Sequence, residues 1–190
     1  MKTLYILAGA NGSGKSTIAS ELLPTENIVY VNADDIAREL CPADMGAVRI
    51  QAGKELHARM DKLFSAGQSF ALESTLSGVG HIKTIEKAHR LGYQVVIIYT
   101  FVDNPDVFVT RIQTRVKNGG HPVPAEDVVR RFTRSKQNFW NTYKGLADFW
   151  VLYYNGTGNV IPVAEQEKGN PIEILAENLY TMFTRNLWRN

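Results

Sequence analysis

The stretch that decides the fold is GANGSGKS, residues 9–16, which fits the pattern G-x-x-x-x-G-K-[ST] at every fixed position. It follows an apolar run, TLYILA at residues 3–8, and opens a segment of helical character. A glycine-rich turn between a strand and a helix lets successive backbone N–H groups converge on phosphate oxygens, and the helix N-terminus adds the positive end of its dipole. Gly9, Ala10, Asn11, Gly12, Ser13, Gly14, Lys15, Ser16 and Thr17 are therefore expected to cradle ATP. Within that cradle Lys15 reaches the β- and γ-phosphates and the Ser16 hydroxyl ligates Mg²⁺.

Outward from this loop, short apolar runs alternate with longer helical patterns, the signature of a parallel sheet covered by helices. The pattern predicts strands near 3–8, 28–32, 69–73, 94–101 and 149–154, making a mostly parallel five-stranded sheet in an α/β fold. The run VVIIY at 95–99 is β-branched and continuous, as a strand buried on both faces requires. Helices are expected near 15–23, 33–40, 44–66, 79–91, 105–118, 125–144 and 171–187, with Pro24, Pro42, Gly67 and Gly92 at or just beyond their ends. YNGTGN at 154–159 reads as a turn into a short last strand near 160–164, and Ile172, Leu175, Leu179 and Phe183 read as a helical packing face.

With 190 residues, 44% of them hydrophobic, one compact domain spanning residues 1–190 is expected. The single Cys41 allows no internal disulfide and, followed by Pro42, reads as packing; a cytoplasmic location follows. No run approaches the roughly 20 apolar residues of a membrane span, and TLYILAGA is too short, and too directly joined to a glycine loop, for a signal peptide. The net charge of +2 hides a concentration: residues 111–136 hold seven Lys/Arg against two acids, so the rest of the chain is net negative.

A phosphate loop specifies a nucleotide, not a reaction. The sequence has no Asn-Lys-x-Asp guanine reader, and FALE at 70–73 ends in one glutamate rather than the Asp-Glu pair of ATPase machines. A small-molecule kinase fits better. Ligands of open parallel sheets bind beyond the carboxyl ends of the strands, where VNADD (31–35) and ESTLSG (73–78) fall. Phosphoryl transfer to a hydroxyl needs a carboxylate beside the acceptor oxygen.

Asp34 and Asp35 are adjacent, and on a helix they point about 100° apart. With Asn32 as N-cap, Asp35 at the third helical position can reach back to the cap, which leaves Asp34 for the acceptor; the alternative for Asp34 is an i,i+4 pair with Arg38. Glu73 closes a buried run and has to meet a substrate hydroxyl, support a metal, or bond the next loop, and Thr75 faces the same cleft.

The basic segment contains KNGGHPVPAED, 117–127, between two helical patterns. Helices around such a loop form a lid over 111–136 that delivers arginines to the transferring phosphoryl group. Phe132, Phe139, Trp140 and Tyr143 interleave with the cations, but their spacing approximates a helical apolar stripe, so core packing is expected ahead of base stacking, and nucleic acid is not the expected partner.

Taken together, GANGSGKST, VNADDIA, FALESTLSG and RIQTRVKNGGHPVP resemble the zeta-toxin family of P-loop kinases over residues 3–154. The resemblance implies a three-layer, nucleoside-monophosphate-kinase-like fold with a helical lid. It also implies an activity, phosphorylation of the 3′-hydroxyl of UDP-N-acetylglucosamine with ATP and Mg²⁺. Matched residue by residue, it puts phosphate and metal contacts on Lys15 and Ser16, the catalytic aspartate on Asp34, substrate contacts on Glu73 and Thr75, and a lid arginine on Arg115.

Arg111 joins the nucleotide side of the lid. The family's second lid arginine meets His121 here, with Arg130 or Arg131 able to substitute, so His121 and Arg131 are counted on the acceptor side; Glu55 and His57 are nearest to a further substrate-contacting glutamate. The resemblance leaves an antitoxin partner open. Two other readings remain: a polynucleotide 5′-hydroxyl kinase, and an ATP-binding switch or partner module without transfer activity.

Overall fold

A computed structural model of the chain describes residues 1–22, 28–102, 125–156, 159–185 and 187. Its strands are β1 (Thr3–Ala8), β2 (Val29–Val31), β3 (Phe70–Ser74), β4 (Gln94–Phe101), β5 (Phe149–Tyr154), β6 (Ile161–Glu167) and β7 (Glu173–Ile174). They form one sheet in the order β2-β3-β1-β4-β5-β6-β7. The first five strands are mutually parallel, with β1 between β3 and β4, whereas β6 and β7 add antiparallel.

The sheet therefore has seven strands where the sequence pattern predicts five with a short extra one. The missed strand lies inside the expected helix 171–187. Glu173 and Ile174 pair with Glu165 and Ala164 at the sheet edge, and the helix proper runs only over Glu177–Arg185. Of the expected packing face, Phe183 is fully buried, whereas Leu175 precedes the helix and is exposed. Helical spacing cannot tell a helix from an extended segment that gains ladder bonds from a neighbouring edge.

The helices are α1 (Lys15–Leu22), α2 (Ala33–Leu40), α3 (Arg49–Ala66), α4 (Ile82–Arg90), α5 (Ala125–Asn138), α6 (Lys144–Leu146) and α7 (Glu177–Arg185). Thus α3 starts five residues after the expected position 44, and α4 starts three after 79. The expected helix 105–118 lies outside the described residues.

Strand alternation gives the sheet two buried faces. Leu4, Ile6 and Ala8 of β1, Phe70 and Leu72 of β3, and Val95, Ile97, Tyr99 and Phe101 of β4 point one way and pack with residues of α2, α3, α4 and α7. Leu7, Ala71, Ile98 and Val151 point the other way, against Ile18 and Ala19 of α1. The glycine-rich loop is thus held by a strand and a helix anchored on one face, and α2, α3, α4 and α7 stack on the other.

Between α5 and α6 the chain makes a π-helical turn, Phe139–Tyr143, with Phe139 and Tyr143 fully buried. Phe139 stacks on Tyr99 and meets Trp150 edge-on, and Trp140 packs on Trp150, Tyr180 and Phe183. Packing, not base stacking, is what these three rings do here.

Lys136, counted with the basic segment, is turned into this cluster, its ammonium 4.7 Å from the centre of the Phe183 ring. Burial lowers its pKa to about 8. Because the unfolded state then holds the extra proton, this lysine costs stability at neutral pH, and the cost fades as pH rises from about 8 toward the ordinary value of 10.5. Lys136→Met is expected to raise the melting temperature at pH 7, by roughly 1–3 kcal/mol of stability. The advantage should shrink by pH 10, a trend that paired calorimetric scans would reveal.

Candidate active site

The loop after β1 is shaped by backbone that only glycine tolerates. Gly9 and Gly14 have φ of +139° and +90°. A Cβ at Gly9 would press on the carbonyl oxygen of Thr100, and one at Gly14 would collide with the side chain of Asn155. Those two neighbours also brace the loop. Thr100 Oγ1 lies 2.6 Å from Ser13 Oγ, and Asn155 Nδ2 donates to the Ser13 carbonyl at 3.0 Å. Thr100 is the next-to-last residue of β4 and Asn155 follows β5, so the strands on one side of β1 clamp its phosphate loop.

Lys15, only 6% exposed, donates from Nζ to the Ala10 carbonyl at 3.1 Å and lies 3.6 Å from Glu73 Oε1. Glu73, near the end of β3, gathers the neighbours. Its Oε2 accepts from Ser16 Oγ at 3.1 Å, from Asn32 Nδ2 at 3.3 Å and from the Tyr30 hydroxyl. Burial, and then the bond to Glu73, push the Tyr30 phenol well above its ordinary pKa, so it stays a donor. The register explains the meeting: Tyr30 of β2 pairs with Ala71 of β3, and Leu7 of β1 with Glu73, so the three strands end together.

Beyond β2, Asn32 caps α2 by accepting the Asp34 backbone N–H at 2.9 Å. The expected division of labour between the aspartates needs one correction. Asp35 accepts from Arg38 at 2.6 Å, an i,i+3 pair, so the Arg38 partnership proposed as the alternative for Asp34 belongs to Asp35. Asp34 is exposed, and both aspartates border the cleft.

That cleft, of 620 Å³, is bordered by the phosphate loop from Asn11 to Thr17, by Tyr30, Asn32, Asp34, Asp35 and Arg38, by Leu56 of α3, by Glu73 and Thr75, and by His81 and Arg131. It brings together Asn11, Gly12, Gly14, Lys15, Ser16, Thr17, Asp34, Glu73, Thr75 and Arg131 of the expected set. Gly9, Ala10 and Ser13 belong to the same turn but do not border the cleft. Arg111, Arg115 and His121 lie outside the described residues.

Thr75 is 2.9 Å from Ser77 Oγ. Glu55 is held by Arg59, which also binds Glu39 across to α2, and Leu56 is the α3 residue that reaches the cleft. Neither Glu55 nor His57 borders it.

Sequence reasoning missed Tyr30, Thr100, Asn155 and His81. Three of them stand at strand ends or in loops just beyond, at the edge that carries the phosphate loop, and that placement is the signal that could have found them. His81 precedes α4, and burial, reinforced by His57, lowers its pKa to about 4. Two buried polar atoms of cleft residues, Asn11 Oδ1 and His81 Nδ1, have no hydrogen-bond partner among the described residues.

Comparison with known proteins agrees with this architecture. A family model described as zeta toxin matches residues 1–161. An uncharacterized protein of Haemophilus influenzae is 34% identical over 122 residues, 64% of this chain and 86% of that protein. Among solved structures, an AvrRxo1-ORF1:-ORF2 complex with ATP superposes with a TM-score of 0.79 at 18% identity, over 100% of this chain and 65% of that one. The chain thus spans about two thirds of the AvrRxo1 chain's length. A structure from the PezAT chromosomal toxin–antitoxin system of Streptococcus pneumoniae gives a TM-score of 0.69 at 18% identity, over 97% of this chain and 79% of that one.

Proposed function

Because the chain belongs to the zeta-toxin family, we propose that it transfers the γ-phosphoryl group of ATP to a hydroxyl of a small acceptor, a sugar nucleotide of the UDP-N-acetylglucosamine kind. The observation that carries this reading is the single cleft bordered by both the phosphate-loop lysine, Lys15, and the carboxylate of Asp34. A donor anchor and a proton acceptor bordering one opening are what transfer to a hydroxyl requires.

In the proposed step the acceptor oxygen bonds to the γ-phosphorus as the bond to the ADP oxygen breaks. Asp34 takes the hydroxyl proton and passes it to water. Lys15 and the loop N–H groups hold charge that shifts onto the β–γ bridge. Arg131, which also borders the cleft, offers a further cation, and Arg111 and Arg115 are assigned the same role. Ser16 Oγ and the Glu73 carboxylate behind it are hard oxygen donors that suit Mg²⁺, which when bound would neutralise phosphate charge. The solved AvrRxo1 complex with ATP supports the choice of donor. A protein partner of antitoxin type is part of the same proposal, suggested by the PezAT system.

The test is acceptor-dependent ADP release from ATP, with UDP-N-acetylglucosamine, simple sugars, nucleosides and a 5′-hydroxyl oligonucleotide as acceptors. Release with UDP-N-acetylglucosamine, and a phosphorylated product by mass, is the expected result. Release only with the oligonucleotide, falling steeply with salt, would replace the proposal with a polynucleotide kinase. ATP binding without release on any acceptor would replace it with a nucleotide switch.

A further inference from the structure

The acceptor side of the cleft contains a residue that the phosphate-transfer machinery does not use. His81 sits between β3 and α4, follows Thr75 by six positions and borders the same opening as Asp34 and Thr75. It heads α4, yet its side chain makes no capping bond. Its position is nevertheless held firmly. The fully buried Tyr143, from the π-helical turn, bonds the His81 backbone and donates its hydroxyl hydrogen to the Gly78 carbonyl at 2.7 Å. π-Turns of this kind concentrate at functional sites, and this one braces the loop that carries His81.

The ring's electrostatics specify what it can recognise. Burial, with His57 adding to it, holds the imidazole neutral at physiological pH. Nδ1 is buried and has no partner among the described residues. An unpaired lone pair is cheaper to bury than an unpaired N–H, so the proton belongs on Nε2, which is not among the buried unpaired atoms. The cleft already has cationic side chains in Lys15 and Arg131 for any phosphate. His81 is left as a fixed, uncharged N–H donor.

We infer that His81 is a specificity-determining residue for the acceptor, its Nε2–H donating a hydrogen bond to an uncharged oxygen, a hydroxyl or carbonyl, of the molecule phosphorylated in this cleft. The inference rests on the kinase reading above and adds to it the chemical class of one acceptor group. A site built to pair such a group discriminates strongly against analogues that lack it, because the donor is then left unmet.

The experiment uses the full chain with ATP and UDP-N-acetylglucosamine and compares His81→Leu with His81→Gln. His81→Leu should raise the acceptor KM roughly 10- to 100-fold while the KM for ATP holds. His81→Gln, which keeps a donor, should recover most of the loss. Imidazole ¹⁵N spectra at pH 7 should show the neutral Nε2–H form, with a shift of Nε2 when the acceptor is added. An unchanged acceptor KM in a folded His81→Leu, or a cationic or Nδ1–H ring, overturns the inference and leaves the kinase reading standing. Absence of turnover by the wild-type chain on every acceptor removes the kinase reading, and the inference falls with it.

Discussion

Asp34→Asn is expected to abolish acceptor-dependent ADP release, by roughly 10²–10⁴-fold in kcat, while ATP binds as in the wild type. The substitution is close to isosteric; the cap bond uses the Asp34 backbone N–H, which asparagine keeps, and the 2.6 Å ion pair of Arg38 is with Asp35. The loss should therefore appear in turnover and not in melting temperature. Asp35→Asn is the matched control. It removes an exposed i,i+3 pair worth a few tenths of a kcal/mol and should leave kcat within about twofold. Single-turnover rates with both variants decide the assignment, and full turnover by Asp34→Asn, or a collapse confined to Asp35→Asn, would reverse it.

The second large effect is expected at Lys15. Its ammonium rests between the Ala10 carbonyl and Glu73, poised over the loop that the glycines shape. Lys15→Met removes the one cation the loop itself supplies to the β- and γ-phosphates. Loss of a preorganised charge at developing negative charge costs roughly 10²–10³-fold in rate, and weaker binding of ATP adds to that. The fold should survive, because Glu73 keeps its bonds from Ser16, Tyr30 and Asn32 when the lysine is gone. Isothermal titration with ATP, beside a melting curve, checks both halves. Wild-type affinity would mean that backbone N–H groups alone hold the phosphates, whereas unfolding would mean that the Lys15–Glu73 pair is structural.

The same carboxylate is where the site's elements meet. A carboxylate closing a buried run has to meet a substrate, a metal or a donor, and Glu73 meets four protein groups at once. Two of these, Lys15 and Ser16, are the groups proposed for phosphate and Mg²⁺. Tyr30 of β2 and Asn32, the N-cap of α2, hold that carboxylate through its other two bonds.

Much of this was legible in the chain itself because the signals were local. GANGSGKS needs positive φ at its glycines and a strand before it, and both requirements are met within a dozen residues. Asn32 caps α2 through a bond two residues away. Short apolar runs alternating with helical patterns mark a parallel sheet before any pairing is known, and VVIIY, continuous and β-branched, reads as buried on both faces, as it is. Phe139 and Tyr143 betrayed their burial by spacing alone.

What only the tertiary structure decided are the meetings of residues far apart in sequence. Helical spacing put residues 171–176 in a helix, but an edge strand offered Glu173 and Ile174 ladder bonds, and pairing won. Arg38 had two aspartates within reach along its helix, and the orientation of the first turn gave it to Asp35. Asn155 braces a loop 142 residues away, and Tyr143 fixes a segment more than 60 residues before it, which makes His81 part of the cleft. Local sequence specifies backbone geometry through φ, ψ and capping, because those energies act within a few residues. Which side chains share a cleft depends on strand order and register, and these are set by packing of the whole sheet.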